Sequence, residues 1–320
     1  MIEYFKQNEN GHIVSNPDPE NIPSTWIHIT KSSEDELTNL VNAYDFPLDY
    51  LTGAFDDDEV SRYEKLDEQY ADAASLIVLL YPKKVKNRLN LTEYVTRPLS
   101  IILAKDTLIT ATGDTPEFLS KLMNSESNKV EPFESNTQFV LLAAMQIASL
   151  FISFLKEINE ATEQLEVQLK KTSKSQHLFD LMELQKSLVY LNSAINSNHP
   201  VIDRLKDIDD FTHHINDEEL LRDVMVENHQ AEVMTAQSDK LLNQLSSTFS
   251  SVISNNLNLI VKFLTSITFI LTIPTIIGSI WGMNVPVPFE ESPYGFWILL
   301  FATLVLAGVT AYWMKKNEYF

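Results

Sequence analysis

The sequence predicts an α+β chain: an N-terminal α/β domain, a long stalk helix and two C-terminal transmembrane helices. Three observations lead there. Runs with strand character are confined to residues 1–130, whereas almost everything from Thr137 onward has helical periodicity. From Asp217 no glycine or proline appears until Pro274. The segments 257–280 and 294–314 are apolar and hold a single charge between them, Lys262.

In the first part, strands are expected at Thr25–Thr30, Ala74–Tyr81, Glu93–Thr96, Ser100–Ala104 and Thr107–Thr112, all rich in Ile, Leu, Val and Thr. Lys105-Asp106 would turn the last two into a hairpin. A helix should open at Ser33, where Glu36 completes a capping box, and another near Thr115. Two long helices follow, Thr137–Lys171 and Gln176–Ile195, and then a loop through His199-Pro200, Asp209, Asp210, His213 and His214. The stalk helix opens at Asn216 or Asp217, where Asp217, Glu218 and Glu219 suit the positive end of the helix dipole. Carried to Trp281, it would span roughly 98 Å at about 1.5 Å per residue, more than one globular domain needs.

Phe139–Leu155 is uncharged but just long enough to span a membrane. It contains Gln146, Ser149 and Ser153, runs directly into Lys156 and Glu157, and has no aromatic or basic anchor at its start. It is expected to be a buried helix of the first domain. The two C-terminal segments are long enough to cross about 30 Å of hydrocarbon. Trp281, Phe289, Tyr294, Phe296, Trp297, Tyr312 and Trp313 lie at their ends, and Lys315 and Lys316 follow the second. The positive-inside rule then puts both termini in the cytoplasm of a multi-pass plasma-membrane protein. The expected organisation is a cytoplasmic domain (1–215), stalk (216–256), first span (257–281), external loop (282–293), second span (294–314) and cytoplasmic tail (315–320).

Charge narrows the partners. Beyond Leu257 the lysines Lys262, Lys315 and Lys316 balance Glu290, Glu291 and Glu318, so the net charge of −20 resides in residues 1–256. Such a field repels nucleic acid and attracts cations. Without cysteine there is no disulfide, thiolate site or cysteine nucleophile. Only Gly11, Gly53 and Gly113 precede residue 257, and none belongs to a phosphate-cradling loop. No nucleophile elbow or zinc-protease pattern occurs, so an enzyme is not expected. His213-His214 beside Asp209 and Asp210 reads as a solvated loop.

The first span has a polar side. A 4-3 heptad count passes through Ser247, Ser251, Ser254, Asn258, Val261, Thr265, Thr268, Thr272, Thr275 and Ser279, and nine of these ten carry a hydroxyl or an amide. A 3.5-residue repeat keeps one seam on a common axis in a helical bundle, and a seam this polar cannot face lipid cheaply. Several copies around an axis would form a polar tube without fixed charge. That suits a cation that keeps its water, as magnesium does.

The first span ends Trp281-Gly282-Met283-Asn284, and this resembles the CorA family of divalent-cation transporters, whose signature is an aromatic residue before Gly-Met-Asn. Pro274-Thr275, Asn258 and Arg222-Asp223-Val224 also fall where the family has comparable residues, and Pro47 through Arg62 and Glu64 to Leu80 are more loosely similar. The resemblance implies a homopentamer in the lipid bilayer, passing divalent cations by potential-driven influx and closed by intracellular Mg²⁺ bound between subunits. Gly282, Met283 and Asn284 would form the outer mouth, with Gly282 giving the backbone a conformation other residues resist. Asn258, Val261, Leu264, Thr265, Thr268, Thr272, Thr275 and Ser279 would line the pore. Asp223 corresponds to a regulatory magnesium ligand. Thr52 stands about where its acidic partner is expected, which leaves Asp56, Asp57, Asp58 or Glu59 for that role. Thr272 is polar where some members have a hydrophobic constriction, which leaves Val261 and Leu264 as gate positions. The loop reads Pro288-Phe289-Glu290-Glu291 rather than the family's Met-Pro-Glu-Leu. A pore of hydroxyls and amides does not choose among magnesium, cobalt, nickel and zinc, so a zinc carrier of the same superfamily is the alternative, ahead of a membrane-anchored scaffold.

Overall fold

The computed structural model describes residues 1–8, 12–19, 22–66, 73–87, 90–104, 106–123, 133, 135–171, 175–212, 215–288 and 292–317. Lys105, the His213-His214 pair and the loop residues Phe289, Glu290 and Glu291 lie outside the described residues. The chain divides into two compact units, Met1–Gln244 and Leu245–Phe320.

The first unit is built on a seven-stranded sheet. Its strands are β1 (Ile2–Gln7), β2 (Ile13–Ser15), β3 (Trp26–Thr30), β4 (Arg62–Lys65), β5 (Ser75–Lys86), β6 (Thr92–Ala104) and β7 (Thr107–Thr112). Their order is β2-β1-β3-β7-β6-β5-β4, antiparallel throughout except for the parallel pair β3–β7. The central strands read as nearly continuous apolar runs because both faces are covered. On one face Ile27, Ile29, Leu76, Val78, Ile102 and Ile109 pack with Leu37, Leu40, Tyr50 and Leu51. Those four come from the short helices α1 (Glu34–Tyr44) and α2 (Asp49–Thr52). Ser33 and Glu36 close the expected capping box on α1.

Glu117–Met123 forms α3. The other face of the sheet is covered by α4 (Asn136–Lys171) and α5 (Ser175–Leu205). Phe139 at the start of α4 lies 5.0 Å from the ring of Trp26, and Phe139, Val140, Phe151, Leu155 and Ile158 are all buried. Three described helices are long and apolar enough to cross a membrane: Asn136–Leu169, Asn216–Trp281 and Gly295–Lys316. The most apolar window of the first is 56% buried inside the structure, against 6% and 11% for the other two. The apolar face of α4 already has a partner, the sheet; the other two show theirs to the outside.

Three expectations need correction. Glu93–Thr96 and Ser100–Ala104 are one strand, β6, which runs through Pro98. Pro98 lies opposite Leu80, whose N–H donates to Asn198 Oδ1 at 2.9 Å and whose C=O accepts from Asn198 Nδ2 at 2.8 Å. Leu80 spends its polar groups on Asn198, so no ladder bond is asked of the proline nitrogen. Secondly, α5 does not stop at Ile195 but continues through Pro200 to Leu205, because buried Val201, Ile202 and Leu205 anchor its last turns while Pro200 faces solvent. Thirdly, β1, β2 and β4 have no counterpart among the expected strands; β4 is Arg-Tyr-Glu-Lys, an edge strand half exposed along its length.

After the short α6 (Asp209–Thr212), helix α7 runs from Ile215 to Trp281 without a break, 67 residues, and α8 spans Gly295–Lys316. Within the first unit, α7 buries Asp217, Leu221, Val224, Asn228, Ala231, Thr235, Ser238 and Leu242, a 4-3 heptad seam. Hydrogen bonds fix that side to α4: Ser238 Oγ donates to Asn159 Oδ1 at 2.7 Å, and Ser149 Oγ donates to Glu227 Oε1 at 3.2 Å.

Candidate functional site

In the second unit, one side of α7 is shaded and the opposite side is bare. Ser266, Ile270, Ile273, Ile277 and Trp281 are buried or half-buried. Thr265, Thr268, Thr272, Thr275 and Ser279 are all exposed, as are Asn258, Val261 and Leu264. At about 100° per residue the two sets lie about 160° apart around the helix. The polar row therefore faces away from whatever its own chain packs against. In α8 the shaded positions are Gly295, Leu299, Ala302, Thr303, Ala307, Thr310, Ala311 and Met314, most of them small side chains.

The hydroxyls of the row are not idle. Thr268, Thr272 and Thr275 each donate to the carbonyl four residues earlier, at 2.9, 2.7 and 2.9 Å, and Ser251 does the same at 2.9 Å. A hydroxyl has one proton and two lone pairs. With the proton committed to the backbone, the outward surface of these side chains is made of acceptors. Acceptors are what a hydrated cation needs, because its bound waters point their hydrogens outward. Back-bonding to the helix is thus compatible with a row that offers acceptors outward.

At the end of α7, Gly282 N–H donates to Gly278 O at 3.0 Å, and Met283 N–H to Ile280 O at 3.3 Å. Gly282 does not use the left-handed region expected of it. Its need is for space, since a Cβ there would stand 3.2 Å from the Gly278 carbonyl oxygen. Trp281 Nε1 donates to Pro288 O at 2.9 Å and ties the following loop back to the helix end. Gly282, Met283 and Asn284 are left exposed on that loop.

The acidic cluster lies in the first unit, directly after α2 and a short 3₁₀ turn (Gly53–Phe55). Two of its four carboxylates already have cations. Glu59 is held by Arg62 and sits against Gly53, where a Cβ would overlap its carboxylate. Asp57 pairs with Arg97 at 3.0 Å, and Arg97 comes from β6. Asp56 Oδ1 accepts the N–H of Asp58 at 3.0 Å, and both side chains are exposed. Asp223 is exposed on α7 between buried Leu221 and Val224. Among the described residues, no group of three His, Asp or Glu side chains is arranged to hold a metal. That Arg62 and Arg97 pair with two of these acids carried no signal in the sequence.

Elsewhere in this unit, burial pushes His28 down to about 4, helped by the N-terminal amine. Its ring meets Thr110 Oγ1 at 2.8 Å and Thr115 Oγ1 at 3.0 Å. Burial also raises Tyr94, whose hydroxyl donates to Glu157 at 2.7 Å.

A domain of this fold on a single long helix, with an exposed polar row in the helix's apolar part, defines a class of membrane protein. The chain belongs to the family described as CorA-like Mg²⁺ transporter protein, whose model matches residues 24–316. It is 24% identical over 296 residues to the cobalt/magnesium transport protein CorA of Methanocaldococcus jannaschii, covering 91% of this chain and 90% of that one. The complete structure of the CorA magnesium transporter from the same organism superposes with a TM-score of 0.82 at 20% identity, over 100% of this chain and 99% of that one. The full-length CmaX protein follows with a TM-score of 0.70 at 16% identity, over 99% and 97% of the two chains. The cytoplasmic domain of ZntB from Vibrio parahaemolyticus gives 0.61 at 11% identity, over 79% of this chain and 98% of that one. These likenesses establish the fold.

Proposed function

We propose that this chain is a divalent-cation channel that carries magnesium into the cell through a homopentameric pore. The observation that carries the reading is the exposed acceptor row from Asn258 to Ser279, turned away from the shaded side of its own helix. In an apolar surrounding such a row needs polar company, and copies of itself around an axis supply it. The spans are α7 from residue 257 to 281 and α8; α4, already buried on the sheet, stays with the α/β unit in the cytoplasm. Gly282, Met283 and Asn284 form the outer mouth, where amide and carbonyl oxygens meet the hydrated ion. Val261 and Leu264 are the apolar positions near the inner end of the row and the place for a constriction.

Influx is driven by the membrane potential and is closed by internal Mg²⁺ held between subunits. Asp223 is one ligand of that site. Asp56 and Asp58 are its best partners, because Arg62 and Arg97 already occupy Glu59 and Asp57. The relative named as a cobalt/magnesium transporter favours magnesium or cobalt. Zinc is the second reading, supported by the likeness to the ZntB domain. The test is uptake by purified protein in proteoliposomes, with Mg²⁺, Co²⁺, Ni²⁺ and Zn²⁺ supplied singly and the oligomer weighed by native mass spectrometry. Mg²⁺ entry by a pentamer is expected. Transport by a monomer, or entry of Zn²⁺ alone, overturns the reading.

A further inference from the structure

The polar row does not begin at Ser247. Counted backwards in the same 4-3 rhythm, it passes through Gln244, Lys240, Gln237, Val233, Gln230, Val226 and Asp223. Every one of these residues is exposed in the first unit, with Val226 at 63% and Val233 at 44%. They lie about 160° around α7 from the buried seam of Leu221, Val224, Asn228, Ala231, Thr235, Ser238 and Leu242. One heptad seam of this helix is thus spent on its own domain and a second is left bare. Valine alternating with glutamine at 3.5-residue spacing is a helix-bundle pattern: apolar layers supply packing and amide layers fix register.

Between Asp223 and Ser279 the bare seam carries one charge, and it is positive: Lys240. Its neighbours one helical turn away, Ala236, Gln237, Asn243 and Gln244, are all neutral. The adjacent carboxylate, Asp239, accepts from Asn243 Nδ2 at 3.0 Å. Among the described residues no carboxylate pairs with Lys240, in a chain whose net charge is −20. An unpaired cation is unexpected on the axis-facing side of a helix that handles cations.

We propose that Lys240 from each copy forms a ring of ammonium groups on the inner face of the assembled stalk, and that this ring slows the passage of divalent cations. The inference rests on the proposed pore, because the ring exists only when copies bring their seams to one axis. A fixed positive potential acts on an ion in proportion to its charge, so a divalent ion feels twice the barrier that a monovalent ion feels. The ring would act as an electrostatic brake in series with the polar row, on flux in either direction.

The experiment compares wild-type full-length protein with Lys240→Gln, Lys240→Glu and Lys240→Arg in proteoliposomes, following Mg²⁺ uptake and weighing each oligomer. At low ionic strength Lys240→Gln should carry Mg²⁺ about threefold faster or more, and Lys240→Glu faster still, while Lys240→Arg matches wild type. Impermeant salt gives a readout that altered packing would not move. The gap between wild type and Lys240→Gln should close between 0.01 M and 1 M choline chloride, as the Debye length falls from about 30 Å to about 3 Å. If wild type transports but Lys240→Gln, correctly assembled, is no faster at low salt, the brake is refuted. It is refuted equally if Lys240→Arg is as fast as Lys240→Gln, or if the gap ignores salt. If wild-type protein carries no divalent ion, the transport reading itself fails, and this inference with it.

Discussion

His28 offers a test of the α/β unit in which the sign and the size both follow from its surroundings. The side chain is 0% exposed and sits on the sheet face beneath α4, on the same strand as Trp26. Trp26 Nε1 can only donate, and it does so to Thr110 Oγ1 at 2.8 Å. The Thr110 proton is then best spent on His28 Nδ1, which leaves the ring proton on Nε2 to donate to Thr115 Oγ1. A second ring proton would displace the Thr110 proton from its acceptor and put a charge in the core. Burial, aided by the N-terminal amine, therefore lowers His28 from 6.5 to about 4. Between those values the unfolded chain binds more protons than the folded one, so stability rises with pH. The contribution is fully present above pH 6.5 and is lost as pH falls through about 4. A depression of this size corresponds to about 3 kcal/mol at about 1.4 kcal/mol per pH unit. Carboxylates titrate in the same range, so the measurement must be a difference. Urea unfolding of the α/β unit can be followed through Trp26, with Trp281, Trp297 and Trp313 replaced by Phe, at pH 7.5 and 4.5. His28→Gln will destabilise the unit at both pH values, but it should lose less on acidification than its parent, by about 2–3 kcal/mol. Equal losses would show that His28 is not held neutral by its burial.

Three further outcomes follow from the proposed pore and its proposed control. Asn284→Ala should abolish Mg²⁺ uptake in proteoliposomes while the oligomer keeps its mass; wild-type uptake by that variant would remove the Gly-Met-Asn loop from the mechanism. A divalent ion moving inward gains about 4.6 kcal/mol per 100 mV of inside-negative potential, so collapsing the potential with an ionophore, with no gradient present, should stop net influx. Undiminished uptake would require another energy source. Asp223→Ala should weaken inhibition of the current by internal Mg²⁺ in patch recordings, and Asp58→Ala should act in the same direction. An unchanged inhibition curve with normal expression would leave Asp223 an ordinary solvated acid.

What the sequence disclosed depended on whether the cause was local. The capping box of Ser33 and Glu36, the strand Thr107–Thr112 and the long unbroken α7 rest on neighbours within a turn or a strand, and each was readable. Pro98 and Pro200 misled for the same reason in reverse, since the features that accommodate them are tertiary. Asn198 lies 118 residues from Leu80 in the chain, and the buried face of Val201, Ile202 and Leu205 has no local signature. Strand β4 escaped notice because Arg62, Glu64 and Lys65 pattern as a surface loop; only its pairing with β5 makes it a strand. At the candidate site, heptad counting picked out the row that the structure leaves exposed, and the Gly-Met-Asn triplet was readable where α7 ends. The pairing of Asp57 with Arg97 was invisible, because it depends on β6 passing beside the 3₁₀ turn. The commitment of the threonine protons to backbone carbonyls depends on side-chain rotamers, which a sequence does not display, and it is the reason the row presents acceptors.

Helix α7 has two heptad seams, and their chemistry differs in a way that bears on how the protein could change state. The seam buried on the first unit contains Asn228, Thr235 and Ser238 among its apolar residues, and Ser238 and Thr235 are fully buried. Their hydroxyls are satisfied within the unit: Thr235 donates to Ala231 O at 2.7 Å and Ser238 to Asn159. The Thr235 bond lies within α7 and would travel with it, but sliding α7 along α4 by one turn would break the Ser238–Asn159 bond in a dry setting, at a cost of about 1–3 kcal/mol for each orphaned group. The bare seam is exposed along its length. Its valine and glutamine layers exchange partners more cheaply, since exposed amides can bond to water while they rearrange. Movement between copies should therefore be easier along the bare seam than movement of α7 against its own domain. A cation held between Asp223 of one copy and an acid of its neighbour would act on that softer contact. Replacing Gln230 and Gln237 by leucine would test this, by turning the seam into a continuous apolar stripe. The substitution should tighten the assembly and make the pore harder to open when internal Mg²⁺ is removed, with no change in the ion it prefers.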